Sequence, residues 1–233
     1  MGFGHHTSSR RARHHREVVD PAHLALIDDL TRRGSIRSDD VRDAMLQVDR
    51  RDFLPPAAAT EAYADAPVVL QVDAGGRPIS TMSQPTMVAL MLEQLQVRPG
   101  DHVLEIGTAS GYNAALLAVL VGGTGGVVTI ELDEELAARA AASLSGRSNV
   151  QVVVGDGRFG HRPGAPYERV IVTAGSEAVA PAWHDQLAAG GRLVVPLPDG
   201  DRGEVCVTFE EVAGELVERH RTPCRFVPLR PGP

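Results

Sequence analysis

There is no lysine in this chain: all 23 basic residues among its 233 are arginines. That absence removes Schiff-base chemistry, the phosphate-holding lysine of a P-loop and any lysine nucleophile. Cysteine is scarce as well. Cys206 and Cys224 are too few for a metal cage or a disulfide framework, so no metal site is expected. Aromatic residues make up only 4%, which leaves Val, Leu, Ala and Ile to build the core. No apolar run approaches the ~18 residues of a membrane span, and the N-terminus carries no apolar h-region. The expectation is a soluble cytoplasmic protein with no membrane partner. The net charge is −7, yet residues 1–16 hold four arginines and no acid, so the rest of the chain is still more acidic. Such a surface is a poor partner for nucleic acid.

What is present suffices for one sizeable core, with 43% of residues hydrophobic. Residues 1–16, with His5, His6, His14 and His15, read as a disordered basic tail. Residues 17–100 read as a helical and substrate-loop region. Leu24, Ile27 and Leu30 are spaced for a helix over Pro21–Arg33, stopped by Gly34. Ser38 starts a second helix that runs to about Val48. Thr60–Ser83 reads as long and irregular, with Asp73–Pro78 at its tip, and Thr86–Leu95 as a helix opened by Pro85. Residues 101–233 then alternate. Strands are expected at His102–Ile106, Val127–Glu131, Val150–Val154, Arg169–Thr173 and Arg192–Pro196. Helices are expected at Asn113–Val121, Glu134–Leu144 and Ala182–Leu187. Glu204–Phe209 and Leu216–His220 read as a closing β hairpin. The pattern predicts an α/β, doubly wound, mostly parallel Rossmann-like sheet, with the whole chain one compact domain.

Residues Val103–Tyr112, VLEIGTASGY, form a strand, a glycine-studded turn and a helix start, a unit that brings a nucleoside ligand against bare backbone. The spacing Gly107-Thr108-Ala109-Ser110-Gly111 does not match the G-x-G-x-x-G of pyrophosphate-binding loops. It suits S-adenosyl-L-methionine, which carries no phosphate. Glu105 is placed to meet the cofactor ammonium, directly or through water. Glu131, at the end of the second strand, is placed to accept both ribose hydroxyls. Asp156, in Gly155-Asp156-Gly157, is placed to accept the adenine amino group. Leu132 and Gly157 complete the candidate cofactor set.

With these segments on the page, the chain resembles the protein-L-isoaspartate O-methyltransferases. The resemblance runs from about Val41 to Leu229. It rests on VDRRDFLP (Val48–Pro55), AYAD (Ala62–Asp65), TMSQPTMVALMLEQL (Thr81–Leu95), GDGRFG (Gly155–Gly160), APYERVIVTAG (Ala165–Gly175), QLAAGGRLVVPL (Gln186–Leu197) and FVPL (Phe226–Leu229). The S-Q-P helix start combined with GDGRFG is the specific part. Ala109 stands where the family commonly has a glycine, and DAGGRPIS lengthens the segment before Thr81. GYNAALL (Gly111–Leu117) and PAWHDQL (Pro181–Leu187) look more like a subgroup that methylates an aspartate of ribosomally made precursor peptides.

The resemblance implies a Rossmann-like methyltransferase methylating an isoaspartyl carboxylate in a protein or peptide. The ester can cyclise to a succinimide and so lead to repair. The alternatives are a peptide-tailoring aspartyl methyltransferase and a non-catalytic S-adenosylmethionine-binding protein. A carboxylate of pKa roughly 4 is already ionised, so positioning and desolvation should suffice and no general base is needed. The resemblance assigns the substrate-facing hydroxyl to Ser83, with Thr81 beside it. The simpler role for Ser83 is capping the helix that follows.

Overall fold

The structure, a computed structural model, describes residues 19–232. The basic tail expected at residues 1–16 lies outside them. Helix α1 (Pro21–Arg32) starts where Pro21 fits the first turn and the Asp20 carboxylate accepts from the Ala22 amide at 2.8 Å. Its buried stripe is His23, Leu26, Ile27 and Leu30, while Leu24, expected on that face, is exposed. Helix α2 (Asp39–Gln47) is capped by Ser38, with Asp39 and Asp40 favourably placed in its first turn.

The segment expected to be irregular is not. After two 3-10 turns, Arg50–Phe53 and Pro56–Glu61, it forms an antiparallel hairpin of β1 (Val68–Val72) and β2 (Pro78–Met82). The tip is closed by Asp73, whose carboxylate accepts from the Gly75 and Arg77 amides at 2.8 and 3.0 Å. Sequence reading missed these strands because Gly, Asp and Pro dominate the tip, and a two-stranded ribbon gives little periodic signal. Helix α3 (Pro85–Leu95) follows directly.

The core alternates as expected. In order come β3 (His102–Ile106), α4 (Tyr112–Val121), β4 (Gly126–Glu131), α5 (Glu134–Ser143), β5 (Val150–Val154), β6 (Tyr167–Val172), α6 (Pro181–Asp185), β7 (Leu187–Pro198), β8 (Glu204–Val212) and β9 (Glu215–Cys224). They form one sheet in the order β5-β4-β3-β6-β7-β8-β9. The pairs from β5 to β7 are parallel, and β8 and β9 add antiparallel as the expected hairpin. The chain winds outward from β3 to β4 and β5, then returns to β6 on the other side of β3. That reversal opens a crevice at the carboxyl ends of β3 and β6, where ligands of such sheets bind.

Helix α4 is apolar all round because it is covered on both sides, by the sheet and by α2. Ala114, Ala115, Leu116, Leu117 and Val121 are fully buried. On the opposite face, Trp183, Tyr167 and Leu193 pack under Leu104, Ile106 and Val170. Both layers meet the strand ends that carry the cleft, so the site rests on well-packed elements. No helix among the described residues is long and apolar enough to cross a membrane.

Candidate active site

The crevice holds a cleft of about 900 Å³, counting the part open to solvent. The loops after β3, β4 and β6 form one side. The strand β2, the start of α3 and residues 227–230 form the other.

The loop after β3 has three residues in left-handed conformation: Gly107 (φ 100°), Ala109 (φ 48°) and Gly111 (φ 86°). A Cβ on Gly107 would come within 2.6 Å of Thr173 Oγ1, so this strand end admits only bare backbone. Ala109 keeps a conformation that favours glycine, at a cost of about 1 kcal/mol. Its amide donates to Glu131 Oε2 at 2.8 Å, which holds the loop in place. Thr108 and Ser110 line the cleft. Gly111 does not; it begins α4 and packs against Leu144.

Glu131 lies at the cleft wall beside Leu132 and is 8% exposed. Its other oxygen accepts from the Asp133 amide at 3.1 Å. Glu105 corrects the sequence reading. It is completely buried and does not line the cleft. Its oxygens accept from Asn113 Nδ2 at 2.8 Å and Thr129 Oγ1 at 2.6 Å, and Thr129 in turn meets Thr108 Oγ1 at 2.7 Å. Glu105 thus braces Asn113 and Thr108, which do reach the cleft. Burial pushes its carboxyl up to about 7 against the opposing pull of the Thr129 and Asn113 bonds.

Asp156, expected to accept the adenine amino group, precedes Gly157 and is not among the residues that line the cleft. Arg158 grips the carboxylate, with Nη2 donating at 2.6 Å, and the Gly232 amide donates to the same oxygen at 2.8 Å. The Arg158 bonds, joined by backbone donors, hold its carboxyl down at about 2. Its neighbour Gly157 does line the cleft. The Gly157 carbonyl accepts from Trp183 Nε1 at 2.8 Å, so the buried tryptophan sets the height of this loop.

On the acceptor side, Thr81 and Ser83 both line the cleft. Ser83 is not the cap of α3. Gln84 holds the N-cap position, without a side-chain cap bond of its own. The first turn is served instead by Asp65, which accepts from the Thr86 amide and hydroxyl at 2.9 and 2.7 Å. The Ser83 hydroxyl is left available beside the helix N-terminus.

Sequence reasoning missed the C-terminal wall. Val227, Pro228, Leu229 and Arg230 line the cleft, tied down where Gly175 N donates to Val227 O (2.9 Å) and Leu229 N donates to Gly175 O (2.7 Å). The FVPL motif was the available signal, but nothing local says that it folds back over the sheet. Tyr112, Asn113, Thr173 and Ala174 were missed in the same way.

Comparison with known proteins gives a consistent result. The chain is 42% identical over 216 residues to the protein-L-isoaspartate O-methyltransferase of Methanopyrus kandleri, covering 91% of this chain and 93% of the relative. A second relative of the same name, from Anaeromyxobacter dehalogenans, is 42% identical over 198 residues, 83% of this chain and 90% of its own. Among solved structures, a protein-L-isoaspartate O-methyltransferase superposes with a TM-score of 0.77 at 32% identity. The match covers 88% of this chain and 65% of that one, so this chain spans just under two thirds of its length. A Plasmodium falciparum protein solved with S-adenosyl-L-homocysteine shares the fold, with a TM-score of 0.76, 24% identity, and coverage of 89% and 98%. The family model described as protein-L-isoaspartate(D-aspartate) O-methyltransferase matches residues 22–232, and this chain belongs to that family.

Proposed function

We propose that this protein uses S-adenosyl-L-methionine to methylate the free carboxylate of L-isoaspartyl residues in proteins or peptides. One observation carries the reading. A single cleft brings the hydroxyl segment Thr81–Ser83 to the same space as the glycine loop and Glu131. The cofactor fits that loop on steric grounds, since the Gly107 position has no room for a side chain. Glu131, Leu132, Gly157, Thr108, Ala109 and Ser110 would hold it, and Glu105 would act through Asn113 and Thr108. Bound there, its sulfonium supplies an electrophilic methyl group.

The chain's own contribution is placement. Ser83 Oγ–H donates to one oxygen of the acceptor carboxylate, and the start of α3 favours the negative charge. A hydroxyl orients the anion while leaving it nucleophilic, which a bidentate arginine would not do. The hairpin β1–β2 and residues 227–230 narrow the cleft and keep out water, so that the bonds made there count for more. The acceptor is ionised before it arrives, so no residue needs to take its proton. The described residues hold no membrane-length helix, and Cys206 and Cys224 are free thiols, which suits the reducing cytoplasm we propose for it.

The deciding assay supplies labelled cofactor with a short isoaspartyl peptide or with its aspartyl isomer. Methyl transfer to the isoaspartyl peptide alone is the expected outcome. Transfer to the aspartyl isomer alone would replace repair by peptide tailoring. Transfer to neither, with the cofactor still bound, would leave a binding protein.

A further inference from the structure

Arg50 is the residue of the VDRRDFLP segment that packing does not explain. It opens the 3-10 turn Arg50–Phe53 and is 1% exposed. Its guanidinium lies over the ring of Tyr112, 5.4 Å from the centroid. The nearest acceptors for Nη2 are the Ala66 and Met82 carbonyls, both at a long 3.5 Å. Nε and Nη1 are buried and have no partner among the described residues. Burial lowers its pKa to about 10, which still leaves it charged at neutral pH.

A buried cation without a carboxylate is costly. Asp65 acts on Arg50 only through space, and its hydrogen bonds, like those of Asp49, go elsewhere. Asp65 accepts from Thr86 and pairs with Arg33 at 3.0 Å, and Asp49 accepts from the Tyr63 hydroxyl at 2.9 Å. A methionine could fill the same space without the desolvation cost. What distinguishes its location is that Met82 and Tyr112, the groups it touches, are both walls of the cleft, and Met82 is the residue before Ser83. The cleft is thus electrically asymmetric. Glu131 faces the cofactor end, and a cation that makes no salt bridge stands behind the acceptor end. Arg230, the arginine among the described residues that does line the cleft, lies on the C-terminal wall, where its charge acts on Asp133.

We propose that Arg50 is a positioning residue for the acceptor: its unpaired guanidinium, held behind Met82 and Tyr112, makes that end of the cleft prefer a carboxylate over a neutral group. The inference rests on the carboxyl-methyltransferase reading above. One wall away, the charge draws the anion in without tying up the oxygen lone pair that must react. Clamped directly onto the carboxylate, it would weaken the nucleophile.

The test compares binding of an isoaspartyl peptide with that of the same peptide carrying a neutral amide in place of the acceptor carboxylate. The wild-type protein should bind the carboxylate about tenfold more tightly or better. Arg50→Met should remove most of that preference and raise the peptide KM, with S-adenosylmethionine affinity held within about twofold. Arg50→Lys, which keeps the charge, should retain most of it. An unchanged preference in Arg50→Met would overturn the proposal. So would equal binding of the two peptides by the wild-type protein, a measurement that needs no variant to fold. Absence of methyl transfer to any carboxyl peptide by the wild-type protein would instead overturn the reading beneath it.

Discussion

The two ends of the cleft, the one proposed to hold the cofactor and the one proposed to hold the acceptor, are built in opposite ways. The cofactor end sits on the ends of three parallel strands, and its shape comes from backbone: left-handed turns, buried acids, and amides donating to Glu131. The acceptor end is assembled from a two-stranded ribbon, the start of α3 and a returning C-terminal segment, none of them part of the parallel sheet. Its lining polar groups are mainly hydroxyls, with Arg50 buried behind Met82 and Tyr112. Such a division suits a site that holds one invariant ligand and one variable polypeptide. The invariant ligand is met by a rigid frame, and the variable one by loop and ribbon elements that tolerate change.

Substitutions at the two ends should therefore separate cleanly. The largest effect is expected for Ser83→Ala. It should lower kcat/KM for the isoaspartyl peptide by about 100-fold or more while leaving cofactor affinity intact by calorimetry. Full activity would remove Ser83 from the reaction and blur the two ends. Glu131→Gln acts at the other end. Cofactor affinity should fall about tenfold or more, with a smaller loss of stability, because Ala109 N and Asp133 N donate to different oxygens and the amide of Gln leaves one of them facing an NH2 group.

A third measurement concerns Glu105, whose folded carboxyl is raised from 4.5 to about 7. Because the folded state holds that proton more tightly, the stability it contributes is present below about pH 4.5 and is lost as pH rises to about 7. Glu105→Gln lacks this penalty. Its unfolding free energy relative to wild type should therefore improve by about 3 kcal/mol between pH 4.5 and pH 8. A difference that stays flat with pH would mean that the buried brace is not paying for desolvation. The smallest effect is expected at Ala109. Ala109→Gly should relieve the left-handed strain and raise stability by about 1 kcal/mol in denaturant unfolding. No gain would show that the Glu131 bond, and not residue type, sets the conformation.

Much of the parallel core was legible in advance, because strand, loop and helix signals there are local. The β-branched strands, Gly107 and Gly111, and an acid at each strand end all fall within a few residues of each other. What that reading could not supply is orientation. Glu105 ends the same strand as the loop, yet it turns under the loop because Asn113 and Thr129 are there to receive it. Asp156, read as an acceptor, already accepts from Arg158 and Gly232, which residue type alone does not show. Ser83 looked like a cap because Asp65, which serves that helix turn, lies 21 residues from Thr86 in the chain.

The sequence by itself determined the chemistry on offer: a lysine-free chain with a glycine loop, strand-end acids and an S-Q-P helix start. These are properties of residue type and short spacing, on which backbone conformation depends directly. Tertiary structure alone decided which groups face the cleft and which support it. It buried Glu105 and Arg50, engaged Asp156, freed Ser83 and laid residues 227–230 across the opening. Each of those outcomes depends on contacts between residues far apart in the chain, and burial, not residue type, then sets how a charge behaves.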